Sequence, residues 1–235
     1  MDNYIYSYAI WENLNSLKDV EERDQVILFT DVESSSKLWK SDEIAMFNAL
    51  REHEKRVTDT IKKYNGKIIK TIGDSYMLSF EGKDSLLNSI RFGYDIQMDL
   101  AKKPIKVKSK VIKIRLGIHK GPLYRKQTVI QGKKLMDYFG NTVNTASRME
   151  SKVSDSGHIA FSWTGKIDEA EEKRIMDWIK DNGLKVEIID YKHRCYSGQR
   201  KRSGRLLSDL QVHTCEPLNQ LKGVAAVTAF KLKVK

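Results

Sequence analysis

The chain has 235 residues, enough for one sizeable core, and its 42 Lys and Arg outnumber 31 Asp and Glu to give a formal charge of +11. No apolar run is long enough to span a bilayer, the start Met1-Asp2-Asn3-Tyr4 lacks the pattern of a secretory leader, and two cysteines cannot build a disulfide framework, so the expected setting is reducing cytoplasm. The positive charge suits a nucleic acid, a polyphosphate substrate or a solvated surface, but no RNP-like aromatic-basic run, zinc-finger spacing or helix-turn-helix punctuation supports the first.

Residues 1–25 mix aromatics (Tyr4, Tyr6, Tyr8, Trp11) with the polar run Lys18–Asp24 and read as an arm or short helix that packs on the core or on a second subunit. Val26-Ile-Leu-Phe-Thr-Asp-Val32 is apolar on both faces, as a central strand should be. Asp31 near its end is costly unless paired or bound to a cation. Ser34-Ser35-Ser36 precedes a helix predicted over 41–64, with Phe47, Leu50, Val57, Ile61 and Tyr64 as its apolar stripe. A serine turn before a helix presents free backbone N–H groups, a seat for phosphate.

Asn65-Gly66 ends that helix. A hairpin follows, 67–72 and 75–80, turning at Gly73-Asp74. Asp74 thereby reaches the neighbourhood of Asp31, and two carboxylates at adjacent strand ends suit divalent cations, although Asp is also a favoured turn residue. A second helix is predicted over 85–101, with Leu87, Ile90 and Tyr94 inward. Ile112, Ile114, Leu116 and Ile118 alternate with Lys113 and Arg115 as a half-buried strand. Gly121-Pro122 reads as a turn, with 123–130 returning.

In Asp137-Tyr-Phe-Gly-Asn-Thr-Val-Asn-Thr-Ala-Ser-Arg-Met-Glu150, Gly140 and Asn141 read as turn and N-cap, and Val143, Ala146, Met149 and Val153 mark an amphipathic helix. Asn144 and Arg148, four apart, share one face, where an amide and a guanidinium suit a negative group. A strand over 158–161 completes the order β-α-β-β-α-β-β-α-β, an α+β arrangement with a ferredoxin-like βαββαβ core whose mostly antiparallel sheet is covered by helices. The tail reads as a helix over 168–182, a strand over 186–191, a basic hairpin within 190–215 and a last strand over 224–234. His193, Cys195, His213 and Cys215 flank the basic tip and could hold zinc or remain free thiols and imidazoles.

Four blocks, Phe29-Thr-Asp-Val-Glu-Ser-Ser-Ser36, Lys70-Thr-Ile-Gly-Asp-Ser-Tyr76, Leu116-Gly-Ile-His-Lys-Gly121 and Asp137–Glu150, resemble the class III nucleotide cyclases, the adenylate/guanylate cyclase family, in order and spacing. The likeness covers 26–161 and resumes at Leu221-Lys222-Gly223-Val224. It implies a catalytic domain over 26–235 that cyclises a ribonucleoside triphosphate to its 3′,5′-cyclic monophosphate with two divalent cations, Mg²⁺ or Mn²⁺. By the same resemblance Asp31, Asp74 and the Val32 carbonyl hold metal, and Ser34, Ser35, Ser36 and Lys222 hold the triphosphate. Asn144 orients the ribose, Arg148 stabilises charge on the α-phosphate, and Lys70 with Asp137 reads the base. The implied assembly is a homodimer that shares these residues across two sites. Pro122 departs from relatives that carry a phosphate-holding arginine nearby, a place Arg125 could fill.

Within the family a Lys/Asp pair marks adenylate cyclases, whereas guanylate cyclases carry Glu and Cys. Hydrogen-bond polarity leaves adenine, cytosine and uracil open, since each sets an acceptor beside a donor. The chain looks most like the stand-alone pyrimidine cyclases of bacterial antiphage (Pycsar-type) systems, which implies UTP before CTP, with ATP as the alternative, and a separate effector that reads the product. An inactive cyclase-like regulator and a nucleic-acid-binding protein are the remaining alternatives; against the first stands the presence of both aspartates and the Asn/Arg pair.

Overall fold

Four residues in a row, Gln25 to Leu28, have almost no solvent exposure, and the fold is arranged around the strand that carries them. The computed structural model describes residues 20–130, 133–192, 212–217, 221, 224 and 227–234. Strand β1 (Val20–Val32) leads through a left-handed Ser34 into α1 (Ser35–Ser41), and α2 (Glu43–Ile61) follows, capped by Asp42, whose side chain accepts from the Ala45 N–H. The helix expected over 41–64 is therefore broken at Asp42, because a cap residue with extended backbone cannot continue a helix. Its inward stripe is Met46, Ala49, His53, Val57 and Ile61, while Phe47 is 58% exposed, contrary to expectation.

Strands β2 (Gly66–Ile72) and β3 (Ser75–Phe80) form the expected hairpin, and Gly73 at φ +63° supplies the conformation its turn needs. Helix α3 (Ser85–Lys102) follows, and then the short ladder β4 (Lys106–Val107) and β5 (Lys110–Val111). β6 (Ile114–Ile130) is one long strand where the sequence suggested a turn at Gly121-Pro122; the returning strand is β7 (Lys133–Phe139). Pro122 survives inside a strand because of its place in the ladder. The β6–β8 pairing stops at Lys120↔Trp163 and the β6–β7 pairing starts at Tyr124↔Phe139, so on that side no partner strand is deprived of an N–H.

Helix α4 (Asn141–Arg148) runs into a π turn, Met149–Val153, followed by β8 (His158–Trp163), α5 (Glu169–Asp181), β9 (Val186–Lys192), β10 (Val212–Pro217) and β11 (Val227–Lys233). The strand order is β10-β9-β11-β8-β6-β1-β3-β2, with β7 on β6. Antiparallel pairs dominate, and β6–β8 and β9–β10 are parallel. β9 and β10 run parallel, so these two strands are not the arms of the expected hairpin. Residues 193–211 lie outside the described residues, as do residues 1–19 of the expected arm. The rest of that arm, Val20 to Gln25, is the front half of β1, paired with Lys126 to Gly121.

Helices α2, α3 and α5 cover one sheet face and bury the main core, which includes Phe80, Phe92, Ile96, Leu116 and Phe161. The opposite face carries a smaller cluster, Ile27, Met77, Leu123, Tyr138 and Ala146, under α4 and the β6–β7 ribbon. α5 is bolted to the core through Glu171, 3% exposed. Its carboxylate accepts the Leu86 N–H at 2.9 Å and pairs with Lys120 Nζ at 2.6 Å, satisfying the start of α3 and a half-buried lysine together. Among the described residues no helix is long and apolar enough to cross a membrane.

Candidate active site

Asp31 and Asp74 meet because two strand ends coincide. Thr30 pairs with Tyr76 at the end of the β1–β3 ladder, so Asp31 lies one residue beyond it, beside the β2–β3 turn. Ser75 Oγ donates to Asp31 Oδ1 at 2.7 Å. Asp74 Oδ2 is buried and has no hydrogen-bond partner. A buried carboxylate oxygen in that state loses its hydration without replacement, and a cation is what would compensate it. The donors at hand are hard oxygens: two carboxylates and the Val32 carbonyl, whose own side chain is buried. Such a set fits Mg²⁺ or Mn²⁺, which accept one or two carboxylates and leave further positions to phosphate and water. Among the described residues no three His, Cys, Asp or Glu side chains gather as a self-sufficient metal cage.

Two residues that the sequence reading left without a role complete this corner. Arg115 stands directly opposite Asp31 in the β1–β6 register, and its Nη2 lies 2.5 Å from Asp31 Oδ2. Its Nε lies 3.1 Å from Oε1 of Glu150, on the turn after α4, yet neither of those two buried atoms makes a directed hydrogen bond. Burial pushes the Glu150 carboxyl up to about 7; the charges of Asp31 and Asp74 add to this and Arg115 opposes it. The usable signal was parity: Arg115 alternates with Ile114 and Leu116, so it must face away from the helical core, on the side where Asp31 points.

Ser34 is left-handed at φ 55° and α1 begins at Ser35. The serine segment is thus a cap and a first helical turn, whose leading N–H groups have no intrahelical acceptor. Lys70 Nζ on β2 lies 2.8 Å from both oxygens of Asp137 on β7, and Asp137 Oδ1 also accepts the Tyr138 N–H at 2.8 Å. The pair is partly exposed, so its two members separate at little cost when a ligand offers each a better partner.

α4 starts after Gly140, which at φ +119° takes the cap position expected for Asn141. It lies hard against β6 because Gly117 has no side chain; a Cβ there would stand 1.9 Å from the Glu150 nitrogen and 2.6 Å from the Ala146 carbonyl oxygen. Asn144 is exposed and Arg148 half-buried, and among the described residues no side-chain hydrogen bond or ion pair engages either. Lys222, His193 and Cys195 lie outside the described residues. His213 and Cys215 occupy alternate positions on β10, opposite Ile188 and Asp190.

Against known proteins, the model of the family described as "Adenylate and Guanylate cyclase catalytic domain" matches residues 19–167. The receptor-type adenylate cyclase ESAG 4 of Trypanosoma brucei brucei is 28% identical over 191 residues, which cover 67% of this chain and 15% of that protein. The adenylate cyclase of Podospora anserina is 32% identical over 159 residues, 58% of this chain and 7% of its own length. The chain thus spans a small part of these relatives. Among solved structures, the catalytic core of a rhodopsin-guanylyl cyclase with converted specificity, in complex with ATPαS, superposes with a TM-score of 0.64 at 20% identity, covering 92% of this chain and 99% of that one. The adenylyl cyclase CyaB from P. aeruginosa gives 0.60 at 18% identity over 91% and 95%.

Proposed function

The chain belongs to the adenylate and guanylate cyclase catalytic-domain family, and from that premise we propose that it is a nucleotide cyclase, converting a ribonucleoside triphosphate to the 3′,5′-cyclic monophosphate and pyrophosphate. The observation that carries the site assignment is the buried, partnerless Asp74 oxygen beside Asp31. Asp31, Asp74 and the Val32 carbonyl would hold Mg²⁺ or Mn²⁺. A bound cation supplies acidity to the ribose 3′-hydroxyl and neutralises the triphosphate. The leading N–H groups of Ser34 to Ser36, with Lys222, bind the β- and γ-phosphates. Asn144 orients the ribose for in-line attack of O3′ on the α-phosphorus. Arg148, with no counter-charge among the described residues, receives the charge that builds there as pyrophosphate leaves.

Lys70 donates to and Asp137 accepts from the base edge, each leaving the other to do so. The base is proposed to be a pyrimidine, UTP before CTP, on the resemblance to stand-alone bacterial pyrimidine cyclases, with the product passed to a separate effector in antiphage signalling. ATP is the second reading, favoured by relatives that are named adenylate cyclases. We assign the working form to a homodimer, since the ladder pair Tyr124 and Phe139 and, beyond Lys126 and Asp137, Leu135 expose apolar side chains on one face of the β6–β7 ribbon. The test is incubation with each of the four ribonucleoside triphosphates in Mn²⁺, with products resolved by mass. Cyclic UMP is the expected product. Cyclic AMP would establish the second reading, and the absence of any cyclic product would overturn the site assignment.

A further inference from the structure

Arg115 touches two carboxylates at once, and on unequal terms. Its Nη2 is engaged with Asp31 at 2.5 Å, whereas its Nε lies 3.1 Å from Glu150 Oε1 with both atoms buried and no directed hydrogen bond between them. Two buried polar atoms at that separation but out of line are a contact that a modest rotation of the guanidinium would complete. Asp31 is also the carboxylate that, on the reading above, receives the cation, and a cation on Asp31 Oδ2 would displace Arg115.

We propose that Arg115 is a positioning residue that serves as the resident counter-charge of the cation site, lying on Asp31 when no cation is present and passing to Glu150 when one arrives. Glu150 is the acceptor that makes the exchange affordable, because a half-buried guanidinium expelled from Asp31 would otherwise leave its buried Nε without a partner. Glu150 is also two residues beyond Arg148, so the transfer tightens the turn that ends α4 at the moment the cation site fills. The inference rests on the reading that Asp31 and Asp74 hold the cation.

Removing each partner of Arg115 should therefore shift cation binding in opposite senses. Arg115→Gln keeps a planar donor and deletes the charge that competes for Asp31. Glu150→Gln removes the alternative seat, so the guanidinium stays on Asp31. Binding is read as free Mn²⁺ by electron paramagnetic resonance on the full chain without nucleotide, with Asp31→Ala as the reference for the site. The expected result is about tenfold tighter Mn²⁺ binding in Arg115→Gln and about tenfold weaker binding in Glu150→Gln, each roughly one factor of ten in the binding constant. Shifts of the same sign, or none, would overturn the exchange and leave Arg115 as a purely structural brace. If Arg115→Gln does not fold, unchanged Mn²⁺ affinity in Glu150→Gln overturns it alone. If the wild-type chain shows no Mn²⁺ binding that Asp31→Ala removes, the cation-site reading falls first.

Discussion

His53 and His119 are both buried imidazoles, and they are held in opposite ways. His119 has Ser162 Oγ on one ring nitrogen and Thr164 Oγ1 on the other, each at 2.8 Å. His53 packs edge-on against Tyr76 at 5.6 Å with neither nitrogen bonded. Burial pushes both down to about 4 from an ordinary 6.5, so each is neutral in the fold. A depressed histidine contributes stability that is present above pH 6.5 and is lost as the pH falls toward 4. His53→Leu should leave stability at pH 7.5 unchanged or slightly higher, since it deletes an unpaired polar group, and should flatten the loss between pH 6.5 and 4.5. His119→Leu should cost about 1–3 kcal/mol at neutral pH by stranding the buried Ser162 hydroxyl. Urea midpoints at pH 7.5 and 4.5 measure both. In the site itself, Asp74→Ala and Arg148→Ala should each lower turnover by on the order of a hundred- to a thousandfold with unchanged thermal melting; near-wild-type rates would remove those residues from the mechanism. These two, with Asp31, Lys70, Asp137 and Asn144, were legible because each sits in a short local motif. Arg115 and Glu150 were not, because the register between β1 and β6 brings Arg115 to Asp31 and the packing of the turn after α4 on β6 brings Glu150 to Arg115, and both are tertiary facts that alternation alone leaves open.

Among the elements, α4 depends on one missing side chain. Gly117→Ala would drive a methyl into the main chain of Ala146 and Glu150, which cannot yield as a side-chain tip could. We expect a loss of about 1–3 kcal/mol, seen in the melting temperature, and a fall in turnover larger than the stability loss explains, because Asn144 and Arg148 move with the helix. The hairpin of β2 and β3 and the helices α3 and α5 were readable from turn residues and apolar spacing. The long β6 was not. Gly121-Pro122 carries a strong local turn signal, and only the gap between its two ladder partners lets the strand run through it. The stripe of α2 shifted for a related reason: Asp42 reset the helix start, so Met46 and His53 face inward and Phe47 faces solvent.

For the molecule as a whole, the proposed homodimer predicts complementation between dead chains. If the cation aspartates of one subunit work with Asn144 and Arg148 of the other, mixing Asp74→Ala with Arg148→Ala gives heterodimers with one intact and one doubly damaged site. Random exchange should restore roughly a quarter of wild-type turnover, since half the dimers carry one working site of two. Recovery that stays at background after subunit exchange, shown by mixed-mass dimers, would argue that each chain works alone. β1 is buried on both sides, by helices on one face and by α4 and the ribbon on the other, so the proposed contact falls to the exposed face of the ribbon that carries Tyr124 and Phe139.

The Glu171 contact bears on where this folding unit ends. The family match stops at residue 167, one residue short of the Asp168 cap of α5, and a chain trimmed to that boundary looks self-sufficient by homology. It would lack the carboxylate that neutralises Lys120 and closes the first turn of α3. The domain that homology delimits is thus smaller than the domain that physics holds together, and a minimal version of this protein has to extend at least through the last turn of α5.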